Sequence, residues 1–141
     1  FPPRVDDRTM IGFGDLYPTL LSMMGFKKDI PREVQTYDLS KFILAGKEDS
    51  DLIQPYYYVQ PDNQTSGYRG LRTAKYTFAV HATDGKIDKT ILFDRTKDPY
   101  EMKNVASENP DIVASLTSEL KKLLTKTNDA YSNYLNAKQT N

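Results

Sequence analysis

The chain has 141 residues, which suits one ordinary domain, and its 19 basic and 19 acidic side chains cancel. This balance gives no strongly basic face for nucleic acid, and no apolar run approaches the roughly 18 residues that a membrane span needs. Cysteine is absent and the one histidine is His81, which excludes disulfides, thiolate nucleophiles and multi-histidine metal sites. We therefore expect neither nucleic-acid nor membrane partners.

The chain opens on Phe1-Pro2-Pro3-Arg4, without an initiating methionine or a signal peptide. Such an opening is typical of the middle of a longer protein. We expect a fragment or a processed product.

Asp15 is placed to cap a first helix that runs to Met24 and stops at Gly25, with Pro18 in its first turn. Apolar side chains recur on one face at helical spacing, and this periodicity predicts a helix packed by that face. They are Leu16, Leu20, Leu21 and Met24.

Asp38 is placed to cap a second, shorter helix over Leu39–Ala45, which Gly46 closes. The charged run Lys47–Asp51 then predicts a solvated turn. Its acids have no ligand partners at a defined spacing, so a metal role is disfavoured.

Aromatic and β-branched residues predict four strands, at 52–60, 68–73, 76–82 and 90–94. Pro55 places the first strand at an edge or marks its start. Residues 61–67 predict a turn-forming loop that contains the sequon Asn63-Gln64-Thr65. Thr83–Lys86 predicts a hairpin turn, with Gly85 available for positive φ.

Asp98 and Glu101 have the spacing of a capping box and Pro99 suits the first helical position, so a helical turn is predicted that ends at Asn104. Asn109-Pro110 begins a long helix with one apolar stripe: Ile112, Val113, Leu116, Leu120, Leu123, Leu124, Tyr131 and Leu135. The order of elements predicts an α+β fold in which short helices precede a small antiparallel sheet of about four strands with the long C-terminal helix packed on it.

Arg69 and Arg72 lie three apart on a predicted strand and so point to opposite faces. Either guanidinium could hold a carboxylate, phosphate or sulfate, but an internal salt bridge to Asp94 or Glu101, or a link to a neighbouring domain, is the favoured interpretation. His81 is paired by motif with no nucleophile, and a catalytic role for it is disfavoured.

Two other groups of side chains could each either stabilise the fold or bind a ligand. Tyr56–Tyr58 with Tyr68 suit either a sugar-stacking platform or sheet packing, and packing is favoured. Asp94, Asp98 and Glu101 suit a cation site, but the capping box already accounts for two of them.

Four motifs in sequence resemble the C-terminal region of the sulfatase family. The family's paired strands and following "DPxExxN" turn are similar to residues 67–78, Leu92-Phe93-Asp94, Asp98–Glu101 and Asn104. Its "D[IL]xPTLLxxxG" helix and the short helix after it are similar to residues 15–25 and 38–46. The resemblance covers about residues 6–124.

This resemblance implies an assignment of 1–50 to the tail of a sulfatase catalytic domain and of 51–141 to a C-terminal α+β subdomain. Family members hydrolyse sulfate esters with a formylglycine from a C/S-x-P-S/A-R motif and a divalent cation, usually calcium, held in the N-terminal domain. The chain contains no such motif. No catalytic or metal-binding residue can therefore be carried over, and we expect the chain alone to be inactive and to hold no cofactor.

The implied partners are the missing N-terminal catalytic domain and, in the parent, a sulfated small molecule or glycan. Arg69, Arg72 and His81 are the candidates for contact with that substrate. If residues 10–26 pack under a catalytic domain, we expect the isolated chain to expose apolar side chains there and to self-associate. Family habit implies export to a periplasm, a lysosome or the cell exterior, which no residue here encodes.

Two alternatives remain. The chain could be a stand-alone binding module that shares the ancestry but has no catalytic partner. It could also belong to a related phosphoester or phosphonate hydrolase.

Overall fold

The computed structural model describes residues 3, 5, 9–47, 51–60 and 62–136. The chain divides into two compact units, Phe1–Gln54 and Pro55–Asn141. The assignment of residues 1–50 to a catalytic domain stays a prediction, and residues 48–50 of the predicted polar turn lie outside the described residues. Within the described ranges no helix has both the length and the apolar character needed to cross a membrane.

Both helices predicted for the first unit are present. Helix α1 spans Leu16–Met23 and helix α2 spans Ser40–Ala45; short 3-10 turns cover Phe13–Asp15 and Lys27–Asp29. Gly25 follows α1 with φ +87°, and Gly46 ends α2 in the left-handed conformation with φ +67°. Glycine is favoured at both ends because it adopts positive φ without a Cβ clash.

Asp15 precedes α1 as predicted, but its carboxylate does not cap the helix. The carboxylate is buried and accepts hydrogen bonds from the backbone N–H groups of Gly12 and Tyr37, both at 2.8 Å, and from Gln54 Nε2 at 2.6 Å. It therefore ties three segments of the first unit together. Asp38 does act locally at α2, where its Oδ1 accepts from the Ser40 N–H at 3.0 Å.

Most apolar side chains of α1 are exposed among the residues that the structure describes, so the predicted packing by that face is wrong there. Pro18 and Thr19 are the buried residues of the helix. The neighbouring apolar side chains are exposed, with Phe13 92% accessible. The exposed set, called the α1 patch below, comprises Ile11, Phe13, Leu16, Tyr17, Leu20, Met24 and Phe26. The exposure expected over residues 10–26 is thus present, except that Leu21 is half-buried.

The second unit is built on an antiparallel sheet in the order β1-β2-β3-β4. The strands span Gln54–Gln60, Asn63–Arg72, Tyr76–Thr83 and Lys86–Asp94. The edge position expected for the strand with Pro55 is confirmed. The predicted loop at 61–67 is wrong from Asn63 onward, and β4 begins earlier than expected. The earlier start of β4 follows from the two-residue hairpin, where Asp84 and Gly85 both take positive φ and let β3 and β4 pair up to the turn.

Helix α3 spans Pro110–Lys126, and a 3-10 segment follows at Ala130–Asn136. The predicted helix is therefore interrupted, because the chain turns at Asn128 with φ +55° before Tyr131 is reached. Tyr131 is nevertheless fully buried. The core joins one sheet face to α3 and this segment through Leu71, Phe78, Val80, Leu92, Val113, Leu116, Leu120, Leu124 and Tyr131. The α+β prediction is confirmed.

The helix predicted to start at Asp98 does not form. Residues 98–101 make a turn in which the Glu101 N–H donates to the Asp98 carbonyl at 3.1 Å, and Glu101 takes φ +56°. Asn104 does not adopt the left-handed conformation either. Its Oδ1 accepts from the Leu92 N–H at 2.9 Å and its Nδ2 donates to the Thr90 carbonyl at 2.9 Å, which fastens the loop to β4. Side-chain bonds to the sheet replace the expected capping box.

Candidate functional site

The sheet has a core face and an outer face, and the pairing register separates the candidate residues between them. Arg69 lies opposite Val80 and therefore shares the core face. Arg72 lies opposite Thr77, and Tyr68 lies opposite His81, on the outer face. The prediction that the two arginines point to opposite faces is confirmed, and the outer face brings Arg72 and His81 to the same side.

Arg69 is a buried arginine with its donors used inside the protein. Its side chain is 1% accessible, and its Nε donates to Asp129 Oδ2 at 2.8 Å. Nη2 donates to the Gln64 carbonyl at 3.1 Å, and the guanidinium carbon lies 4.8 Å from the centre of the Tyr131 ring. Burial raises the pKa of the Tyr131 hydroxyl, which keeps that ring neutral beside the cation. A ligand could not reach Arg69 without opening the core.

Arg72 belongs to a cluster around one carboxylate oxygen, Glu101 Oε1. Arg72 Nη2 and Thr77 Oγ1 each donate to it at 2.7 Å, and Arg95 Nε lies 3.8 Å away. The internal salt bridge from Arg72 to Glu101, the favoured interpretation from the sequence, is confirmed. The Arg72 side chain remains 43% accessible, so its guanidinium combines a structural bond with an exposed surface.

His81 belongs to a second cluster that a β-bulge creates. His81 lies opposite Lys89 while Ala82 lies opposite Ile87, so Asp88 is an extra residue in β4. Asp88 Oδ1 lies 2.5 Å from His81 Nδ1, and Thr83 Oγ1 donates to Asp88 Oδ2 at 2.6 Å. These hydrogen bonds, from Thr83 first and then His81, hold the pKa of Asp88 below its ordinary value.

The Tyr68 ring covers one side of His81, with ring centres 4.5 Å apart and planes inclined by 52°. The histidine side chain is 28% accessible. We name this group of Tyr68, His81, Thr83, Asp88 and Lys89 the histidine cluster. A carboxylate accepts hydrogen bonds only, so in the His81–Asp88 pair the imidazole Nδ1 carries the proton and donates.

Sequence reasoning missed Asp88 and Asp129. Asp88 reaches His81 only because of the bulge, whose position no residue type marks. Asp129 lies 60 residues from Arg69, a distance that no motif bridges. The sheet-packing interpretation of the tyrosines fits Tyr68 better than Tyr56 and Tyr58, which are exposed on the edge strand.

The acidic residues near the 94–101 turn do not assemble a cation site. Asp94 Oδ1 instead accepts from the N–H of Thr96 at 3.1 Å and from its hydroxyl at 2.6 Å. Within the described ranges no group of three or more His, Cys, Asp or Glu side chains could hold a metal ion. These residues therefore do not fit the divalent cation that the resemblance implies.

Comparison with known proteins explains this combination of elements. The family model for the C-terminal region of N-sulphoglucosamine sulphohydrolase matches residues 1–130. The chain belongs to this sulfatase C-terminal family.

Similar proteins carry sulfatase names. The chain is 30% identical to the endo-4-O-sulfatase of Bacteroides thetaiotaomicron over 92% of its own length and 28% of the relative's. It is 27% identical to arylsulfatase K of Xenopus laevis, covering 82% of the chain and 22% of that protein. In both cases the chain spans less than a third of its relative.

The crystal structure of the yidJ protein from Bacteroides fragilis superimposes with a TM-score of 0.91 at 58% identity, over 95% of this chain and 29% of that one. A relative crystallised with D-glucosamine-2-N,6-O-disulfate has a TM-score of 0.65 and 24% identity, which supports the fold alone. The chain is thus a sulfatase C-terminal domain, a region that corresponds to under a third of its relatives.

Proposed function

We propose that this domain belongs to a sulfuric ester hydrolase and completes its substrate cleft. The observation that carries the proposal is the extent of the match. The family model covers residues 1–130, and nearly the whole chain aligns with proteins named sulfatases. The alternative is a related phosphoester or phosphonate hydrolase, which a comparison of substrates would distinguish from a sulfatase.

The reaction centre lies outside these residues. The chain has no cysteine and no C/S-x-P-S/A-R motif from which a formylglycine could be made. The cation, calcium by family habit, would also be held by the rest of the parent. The chain alone is therefore inactive. In the parent it contributes by binding the substrate and shaping the substrate cleft.

The outer face is the part of the sheet suited to a cleft wall. Arg72 and His81 are partly accessible there, and their cationic or hydrogen-bonding groups suit a sulfated small molecule or glycan. Arg69 supports the fold behind them. The name of one relative favours a glycan, because that relative is an endo-4-O-sulfatase.

The α1 patch would pack against the rest of the parent. Its exposed apolar residues all fall between Ile11 and Phe26, and such concentrations of apolar side chains mark protein contact sites. Without that neighbour, copies of the chain would self-associate through the same patch.

The test compares the chain with its full-length parent on 4-nitrophenyl sulfate and 4-nitrophenyl phosphate. The parent hydrolyses the sulfate ester in preference, and chain 1–141 alone hydrolyses neither. Arg72→Gln and His81→Gln in the parent raise KM for a sulfated saccharide more than for the small aryl ester. A parent without sulfatase activity would contradict the proposal, and a parent that prefers the phosphate would assign it to the phosphoester class.

A further inference from the structure

The turn over residues 98–104 displays two large apolar side chains to solvent. Tyr100 and Met102 are each 84% accessible. They flank Glu101, whose carboxylate instead bonds to Arg72 of the sheet. Single exposed apolar residues are common on protein surfaces, but here two occupy alternate positions of one short turn. Because neither side chain is buried in the core, the packing of this domain gives no reason for their placement.

The turn is held at three points, and each of them uses a polar side chain of the turn itself. Asp98 Oδ2 accepts from the Lys103 N–H at 2.8 Å and closes the turn. Glu101 Oε1 accepts from Arg72 Nη2 at 2.7 Å. Asn104 Oδ1 accepts from a backbone N–H of β4 at 2.9 Å. The polar residues therefore fix the path of the backbone, while the apolar residues between them stay in solvent.

The backbone at the centre of the turn is in an unfavourable conformation. Glu101 has φ +56°, in the left-handed region that residues with a Cβ seldom adopt. Such conformations persist only where surrounding contacts enforce them, and they are concentrated at functional sites. The fold thus maintains a strained residue whose two neighbours, Tyr100 and Met102, are exposed.

We propose that the 98–104 turn is a contact surface for the remainder of the parent, with Tyr100 and Met102 as its apolar centre. Tyrosine and methionine are enriched at the centres of protein interfaces. The chain spans only 28% of one relative and 29% of another, so more than two thirds of a protein of that length is available to cover the turn. This inference rests on the proposed function only in that the domain works as part of a longer parent.

This surface is distinct from the α1 patch, because the turn belongs to the other compact unit of the chain. Its lysines indicate the charge of the partner surface. Lys103 pairs with Glu108 at 2.8 Å, whereas Lys97 lies 4.0 Å from Asp94, at the limit of an ion pair. Since charges across an interface are arranged to be complementary, we expect an apolar depression with a carboxylate beside Lys97.

Hydroxyl-radical footprinting read by mass spectrometry tests this surface, because sulfur and aromatic side chains react readily when they are exposed. The full-length parent and chain 1–141 are oxidised side by side. We expect the oxidation rates of Tyr100 and Met102 to be at least about fivefold lower in the parent, since the centre of an interface is fully buried. Tyr58, which is 61% accessible on β1, is the internal reference and should react at similar rates in both proteins.

A double variant separates contact from folding. Tyr100→Ser with Met102→Ser should leave the thermal midpoint of chain 1–141 within about 1 °C, because both side chains are exposed there. In the parent the same double variant should lower the midpoint by at least about 3 °C, because it removes apolar area from an interface. Tyr58→Ser is the matched control and should shift the two midpoints equally.

Oxidation of Tyr100 and Met102 that is as fast in the parent as in the chain would overturn the proposal. So would a fall of the same size at Tyr58, or a double variant that destabilises both proteins equally. Protection that appears in the isolated chain and rises with its concentration would assign the turn to a second copy of the chain, which also contradicts the proposal. None of these measurements uses the reaction, so the proposed sulfatase activity and this contact surface can fail independently.

Discussion

Arg69 and Asp129 lie 60 residues apart in sequence, and Arg69 Nε donates a hydrogen bond to Asp129 Oδ2 at 2.8 Å. The arginine side chain is 1% accessible and the aspartate 18%, so the pair links β2 to the turn after α3 from inside the domain. The Tyr131 hydroxyl, two residues further, donates to the Gly67 carbonyl at 3.4 Å. This contact joins the middle of β2 to the 3-10 segment that packs on the core.

We expect Asp129→Asn to lower the free energy of unfolding by about 3 kcal/mol, because it leaves a buried guanidinium without its counter-charge. Urea unfolding followed by circular dichroism measures the difference. Glu119→Gln is the control. Glu119 pairs with Lys122 at 2.6 Å on the exposed side of α3, and its loss should cost less than about 0.5 kcal/mol. Equal losses in the two variants would contradict the role given to Arg69.

Gly70 of β2 lies directly opposite Ala79 of β3. A Cβ there would collide with the Phe78 carbonyl oxygen and meet the Ala79 Cβ at 2.8 Å, and backbone cannot give way as a flexible side chain can. We expect Gly70→Ala to cost about 3 kcal/mol in thermal or urea unfolding. Ala74→Ser, at an exposed turn position of the same sheet, should stay within about 0.5 kcal/mol. A stable Gly70→Ala variant would show that the strands can separate at this point.

Glu101 combines positive φ with two arginine neighbours. Glu101→Gln keeps the side-chain shape and removes the charge, so we expect a loss of about 1 kcal/mol at low salt that shrinks in 1 M NaCl. Glu108→Gln, which removes an exposed pair with Lys103 at 2.8 Å, is the matched control and should change stability little. A loss for Glu101→Gln that is independent of salt would mean that hydrogen bonding, not charge, holds the loop.

The lowered pKa of Asp88 predicts that the free energy of unfolding depends on pH. Its pKa is lowered in the folded state by the Thr83 and His81 hydrogen bonds, so its contribution is present above the unfolded value of about 3.9 and is lost as the pH falls through the folded value. The stability difference between the unmodified chain and Asp88→Asn should therefore be constant near neutral pH and shrink in acid. Asp62→Asn, at an exposed position before β2, should show no such trend. If the stability difference between the unmodified chain and Asp88→Asn grew as the pH fell, the predicted direction would be wrong.

The α1 patch predicts self-association of the isolated chain. We expect sedimentation equilibrium to show a molar mass that rises with concentration, and Leu20→Lys, within the patch, to reduce this rise. Leu44→Lys provides the control, since Leu44 is a similarly exposed leucine on α2 outside the patch. A strictly monomeric unmodified chain would contradict this prediction.

The two helices of the first unit and the sheet followed by a long helix could be predicted from the sequence, because they depend on signals a few residues apart. Glycines at 25, 46 and 85 do end helices or form the hairpin, since positive φ is a local requirement. The motifs around Arg72 and Glu101 also indicated the sulfatase family. What failed locally was the Asp98–Glu101 capping box, where the Glu101 side chain bonds to Arg72 instead.

The tertiary structure alone decided which polar residues are used and which remain accessible. Arg69 and Arg72 look alike in the sequence, but the strand pleat buries one against Asp129 and leaves the other on the outer face. The bulge at His81 and Ala82 gives Asp88 its partner. Both outcomes depend on register and on pairing between distant segments. The sequence by itself determined the family and the order of elements, whereas the histidine cluster exists only once the strands are paired.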